Sequence, residues 1–180
     1  MTDNIAIGTS AKTDFEDRSI AIGYYAYTYS LGSIAIGAGS YTGKYFAESS
    51  TAIGRYSRAL GYGSVAIGRS ATVGTDNENW NTSGYGSVAI GYQARAAVSY
   101  GVAIGYESRT TQQFAVAIGR NARAYNTNSI AIGNGAVADA FENGKSALAF
   151  SINTDSVDTN NGYLYVMING TRYRISITPA

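Results

Sequence analysis

The sequence predicts an all-β solenoid wound from coils of fourteen residues, and three observations carry that prediction. The tripeptide Ala-Ile-Gly occurs nine times in 180 residues, ending at Gly8, Gly23, Gly37, Gly54, Gly68, Gly91, Gly105, Gly119 and Gly133. The intervals between these glycines are 15, 14, 17, 14, 23, 14, 14 and 14, so fourteen is the base period and the longer ones carry insertions. Three further columns keep step: a β-branched residue three before each Gly, a small residue three after it, and Thr, Ala or Val five after it. Self-similarity at a fixed short period is the signature of a stacked repeat.

Each column translates into geometry. In β-branched-Ala-Ile-Gly large and small residues alternate, which sets the large pair on one face of a strand and the small residues on the other. The positions three and five after the Gly also share a face and mark a second short strand. Two strands and two turns in fourteen residues make one coil. The Gly ends the first strand, where the chain must turn with positive φ or pass close to a neighbouring backbone. Recurrent Gly and β-branched residues at period two oppose a helix. A roll this thin encloses little core, so one face, the small-residue row or the Ile/Val row, is expected to pack against other copies of the chain.

Beyond Gly133 the pattern decays. Ser146–Phe150 reads as a last, imperfect coil, which bounds a repeat domain at residues 1–150. Residues 151–162 read as a linker or cap. Two alternating runs around Asn169-Gly170 then predict a C-terminal β-hairpin within 163–180. The 17- and 23-residue intervals hold polar insertions, the second carrying the only tryptophan, Trp80. Such insertions project as loops, where binding often resides.

Composition narrows the chemistry. With no Cys there is no disulfide framework or thiolate, and with no His the usual neutral-pH base and the commonest metal ligand are missing. No catalytic residue, metal site or cofactor is expected. A net charge of +1 gives no nucleic-acid signal, and no apolar run is long enough for a membrane helix. The densest acidic group, Asp14-Phe15-Glu16-Asp17, could in principle serve glycoside hydrolysis but reads as a solvated turn. Asp155 and Asp158 lack the spacing of a calcium loop. An ice-binding array is disfavoured because the Thr column is broken by Ala59, Val73, Ala96, Ala124 and Ala138.

Two side-chain groups remain as candidates. Four residues after the Gly stand Lys12, Arg58, Arg95, Arg109 and Arg123, the last three on successive coils. Such a stripe suits an anionic polysaccharide or phosphate-bearing glycan. It equally serves as a solvated column that discourages edge association. Tyrosine is the other group: 16 are present, among them Tyr92 and Tyr106, and their amphipathic rings suit sugar stacking, protein contacts or packing between coils. Arg95, Arg109, Arg123, Trp80, Tyr92 and Tyr106 are therefore the candidate ligand-binding residues.

Ser-Ile-Ala-Ile-Gly at 19–23, 33–37 and 129–133, and Ser-Val-Ala-Ile-Gly at 64–68 and 87–91, resemble the head repeats of YadA-like trimeric autotransporter adhesins. The resemblance covers roughly residues 4–138. It implies a left-handed parallel β-roll, a homotrimer, and an adhesive or spacing role. The sequence shows no signal peptide, coiled-coil heptads or membrane-barrel segment, features such an adhesin uses to reach and hold the cell surface. Two expectations follow. The first is a virion fibre, spike or decoration subunit of a bacteriophage. It would assemble in the host cytoplasm, be held at one end by another fibre protein and attach to a host surface glycan or protein. The second is the head fragment of a bacterial adhesin, located at the bacterial cell surface.

Overall fold

The computed structural model describes residues 3–14, 18–43, 47–75, 84–139 and 146–150, and the backbone of two further strands at 163–168 and 171–176. Nine coils follow one another. Each begins with a three-residue strand on the β-branched-Ala-Ile segment, from β1 (Ile5–Ile7) through β3 (Ile20–Ile22) to β17 (Ile130–Ile132). Each continues with a two-residue strand four and five positions after the Gly, from β2 (Lys12–Thr13) to β18 (Val137–Ala138). The odd-numbered strands, closed by β19 (Leu148–Phe150), stack in a ten-stranded parallel sheet, and the even-numbered ones in a nine-stranded parallel sheet. The imperfect coil at 146–150 thus supplies a tenth rung, with Ala149 opposite Ala131. No helix occurs among the described residues.

The insertions leave the register untouched. Ile34 faces Thr51 across the 17-residue interval, and Val65 faces Val88 across the 23-residue one. The added residues include 44–46 and 76–83, outside the described residues. At the C-terminus β20 (Tyr163–Ile168) and β21 (Thr171–Ser176) pair antiparallel. The expected linker at 151–162 and the Asn169-Gly170 turn lie outside the described residues.

The structure decides which face is inside. Ala21, Ala35, Ala52, Ala66, Ala89, Ala103, Ala117 and Ala131, the centres of their three-residue strands, are fully buried. The small residues three and five after each Gly meet them from the second sheet, and Val73 is the largest fully buried side chain. The interior is therefore an alanine, serine and threonine seam, and each Ile or Val of the first sheet points outward. Of the twenty outward positions on β1 through β19, nineteen are apolar and Thr51 is the exception. Ten rungs at ~4.8 Å make this apolar strip about 40 Å long.

Buried hydroxyls in the seam are mostly satisfied locally. Ser40, Ser57 and Ser108 donate to the carbonyls of Gly37, Gly54 and Gly105 at 2.9, 2.9 and 3.1 Å. Ser87 donates to Val98 O at 2.7 Å and accepts from Gly101 N at 3.0 Å. Thr110 differs, because its Oγ1 is buried without a hydrogen-bond partner. Its cross-strand neighbours are Ala96 and Ala124, and Gly101 lies beside it where a Cβ would sit 2.6 Å from Oγ1. Val73 fills the equivalent position against Gly84. Thr110→Val is therefore expected to stabilise the protein by about 1 kcal/mol, read as a rise in the denaturation midpoint, because an unsatisfied buried hydroxyl is removed.

Both turns of the coil use the same device. A hydrogen bond from Ser108 N to Gly105 O closes one, and one from Ser87 N to Gly84 O closes the other. In each, the third of four residues has positive φ, as at Glu107 (52°) and Gly86 (56°). Glycine and asparagine take this conformation cheaply. Here Tyr25, Tyr56, Tyr100 and Phe114 also adopt it, at φ of 53–60°, against a cost of about 1 kcal/mol or more each.

Candidate functional site

Two ladders of side chains run along the outside of the rod. The first is the outward column of the nine-stranded sheet. Each of its strands has one residue turned in and one turned out, so the outward residues stack in a single file. From the N-terminal end that file reads Lys12, Tyr27, Tyr41, Arg58, Thr72, Arg95, Arg109, Arg123 and Val137. The register pairs Arg95 with Arg109 and Arg109 with Arg123, and all three arginines are exposed. The sequence-predicted stripe is thus a physical ladder. None of the three forms an ion pair with a described residue; the one salt bridge among described residues is Lys12–Asp14 at 2.8 Å.

At its N-terminal end the same file is aromatic. Lys12 lies 5.5 Å from the Tyr27 ring centroid, Tyr27 and Tyr41 are 5.6 Å apart, and Arg58 lies 5.8 Å from Tyr41. Tyr25, Tyr27, Tyr41, Lys12 and Ser10 line a shallow groove of about 450 Å³. Asp14 pairs with two of these lining residues, Lys12 and Tyr27. The Lys12 ammonium and the Tyr27 hydroxyl both bond its carboxylate and hold it below the usual carboxylate range. Burial and the Asp14 carboxylate push the Tyr27 hydroxyl up. Asp14 is thus committed to this pair, and Phe15, Glu16 and Asp17 lie outside the described residues.

The second ladder stands one residue after the Gly, on the turn. Tyr92 and Tyr106 stack with centroids 5.1 Å apart and planes 12° from parallel. Arg69 sits 5.5 Å from the Tyr92 centroid and Arg120 sits 5.9 Å from Tyr106. Four consecutive coils therefore build a cation–aromatic–aromatic–cation stack. The Glu107 carboxylate bonds the Tyr106 hydroxyl and raises its pKa. Arg69 and Arg120 were not among the sequence candidates, although counting one residue from each Gly finds them. The six sequence candidates do not converge on one site. Arg95, Arg109 and Arg123 form one column, Tyr92 and Tyr106 another, and Trp80 lies outside the described residues.

The tyrosines pack on the outside of the roll. They do pack from coil to coil, as Tyr27 with Tyr41 and Tyr92 with Tyr106, but none of those whose burial is described is buried, and Tyr24, Tyr25, Tyr56, Tyr62, Tyr100 and Tyr106 are exposed. The seam has room only for small side chains. The rings contact one another along the outside instead, as Tyr100 and Phe114 do at 5.2 Å with planes 2° apart.

Among the described residues no group of His, Cys, Asp or Glu could hold a metal ion, and no helix is long and apolar enough to cross a membrane. The surface offers stacked rings, guanidinium groups and an apolar strip, which are binding features.

A family model described as the YadA head domain repeat (2 copies) matches residues 5–26, 16–40, 47–71, 83–108 and 111–136. The chain belongs to the YadA head family. Among solved structures, the collagen-binding domain of the Yersinia adhesin YadA is similar, with a TM-score of 0.65 and 28% identity. The similarity covers 86% of this chain and 83% of that one. No curated protein matches the chain. These likenesses support the adhesin-head expectation and give no support to the virion fibre.

Proposed function

We propose that the chain is the adhesive head of a bacterial surface adhesin: a non-enzymatic homotrimer that displays its ladders and turns to an extended host protein such as collagen. The observation that carries this reading is the inverted strand pattern, with alanine inside and Ile or Val outside. An apolar strip about 40 Å long is more than a monomeric soluble protein ordinarily leaves open. Packing it against copies of itself removes it from water, and three-fold packing around the long axis leaves the second sheet and the turns outward. The similarity to a collagen-binding domain supplies the ligand class. Three copies on one rigid rod would then bind through many weak contacts, where avidity exceeds single-site affinity.

The test is binding of the purified chain to immobilised native collagen beside heat-denatured collagen. Saturable binding to the native form is expected, weakened about a hundredfold when the chain is made monomeric. No binding of the intact oligomer to native collagen would remove the matrix-protein reading.

A further inference from the structure

We propose that the Arg95–Arg109–Arg123 ladder is a binding track for a linear anionic polysaccharide lying along the rod. This does not rest on the collagen reading, because it invokes a different face chemistry and a different ligand.

The argument begins with a cost. Like charges placed directly opposite each other on neighbouring strands destabilise a sheet. Here three arginines occupy successive rungs in parallel register, two like-charge pairs in a row. Nothing in the fold demands arginine at this column, since Tyr27, Tyr41, Thr72 and Val137 fill other rungs of the same file. Nor is the repulsion relieved locally. Glu107, on the turn two residues before Arg109, forms no ion pair with it among the described residues. Among the described residues Arg123 bonds the Tyr125 hydroxyl, at 3.5 Å, and no carboxylate. Three exposed guanidinium groups held on a rigid ladder at ~4.8 Å steps are preorganised for a ligand that carries repeated negative charge.

The form of the ligand follows from the form of the track. A single file of fork-shaped donors matches carboxylate or sulfate groups spaced along one flexible chain. The groups beside it are sugar-binding in character: exposed Gln93, and the Tyr92–Tyr106 stack on the adjoining turn. Duplex nucleic acid asks for a broad basic face, whereas the whole chain carries a net charge of only +1. In a trimer the track would recur three times around the rod, so a weak site becomes an effective one.

The experiment measures binding of the full chain to immobilised heparin, with neutral dextran and duplex DNA as competitors. The expected result is binding at low salt that dextran does not compete for and that is lost as salt shortens the Debye length to a few ångström. Arg95→Thr, Arg109→Thr and Arg123→Thr together are expected to weaken it about tenfold or more, with thermal stability unchanged or raised. A control removing the same charge elsewhere, Arg55→Thr with Arg172→Thr and Arg174→Thr on β21, is expected to bind within about twofold of wild type. Arg109→Glu alone provides a second reading: its carboxylate sits between Arg95 and Arg123, so the ladder stays folded while binding falls by about tenfold or more. Undiminished heparin binding in either ladder variant would overturn the proposal. So would equal loss in the control, or competition by DNA as strong as by heparin itself.

Discussion

Gly105→Ala is expected to destabilise the protein by more than about 4 kcal/mol, among the largest effects a single methyl group can have. Two independent terms act at this position. The backbone of Gly105 sits at φ +130°, where a side chain is strained whatever the space around it. The added Cβ would also stand 2.4 Å from the carbonyl oxygen of Gly119, one coil further on. That oxygen belongs to the backbone of the next coil and cannot swing away as a side chain could. Relief would require the two coils to separate, which breaks the ladder bond from Gly119 N to Ile104 O, 2.8 Å long. Gly63→Ala provides the comparison. Its φ is +60° and no atom lies within 4 Å of the added Cβ, so a cost of only about 1 kcal/mol is expected. Denaturant midpoints of the two variants measure the difference. Equal midpoints would mean that the glycine column is not set by coil-to-coil contact.

The second large effect lies on the outer apolar strip. Ile90→Lys together with Ile104→Lys is expected to convert the proposed oligomer to monomer while leaving the coil intact. Both side chains are half-buried in the single chain and point away from the alanine seam. Their loss therefore removes little from the folding of one roll. At an interface between copies, each isoleucine contributes about 1.5–3 kcal/mol of burial and each lysine leaves an unpaired charge in its place. With two substitutions in every protomer, the penalty exceeds what a strip interface of this length sustains. Circular dichroism should keep its β signature while the mass falls. A variant that stays oligomeric would place the contact between copies on another face.

Most of this architecture is legible in the sequence, because a solenoid writes its period directly into the chain. The strands, their register and the insertions follow from counting between Ala-Ile-Gly tripeptides, and the tenth rung at Leu148–Phe150 follows from the large–small alternation that persists there after the count fails. Which strand face is inside does not follow. Alternation of Ile and Ala says only that two faces differ, and for most proteins the large apolar residue is the buried one. The thinness of the roll reverses that rule, since two sheets joined by short turns leave room only for Ala, Ser, Thr and Val73.

The second left-handed residue of the coil was also hidden. At Tyr25, Tyr56 and Phe114 the residue type argues against positive φ. Gly39 and Gly135 in one column, and Gly32, Gly63 and Gly86 in the other, carry the signal once the columns are aligned. The Arg69–Tyr92–Tyr106–Arg120 stack was obscured in the same way. The 23-residue interval separates Arg69 from Tyr92 in sequence, yet Gly91 N bonds Ile67 O at 2.8 Å and sets the two coils directly against each other. By contrast, the arginine ladder was visible from spacing alone, because its three members fall on uninterrupted coils.

The central claim is that the outward Ile/Val strip is buried between copies of the chain, and the mass of the wild-type protein in solution tests it most directly. Light scattering across a dilution series should find one species at three times the 18.9 kDa chain mass, persisting at the lowest concentration measured. A soluble species at 18.9 kDa, stable with its apolar strip open to water, would contradict the account.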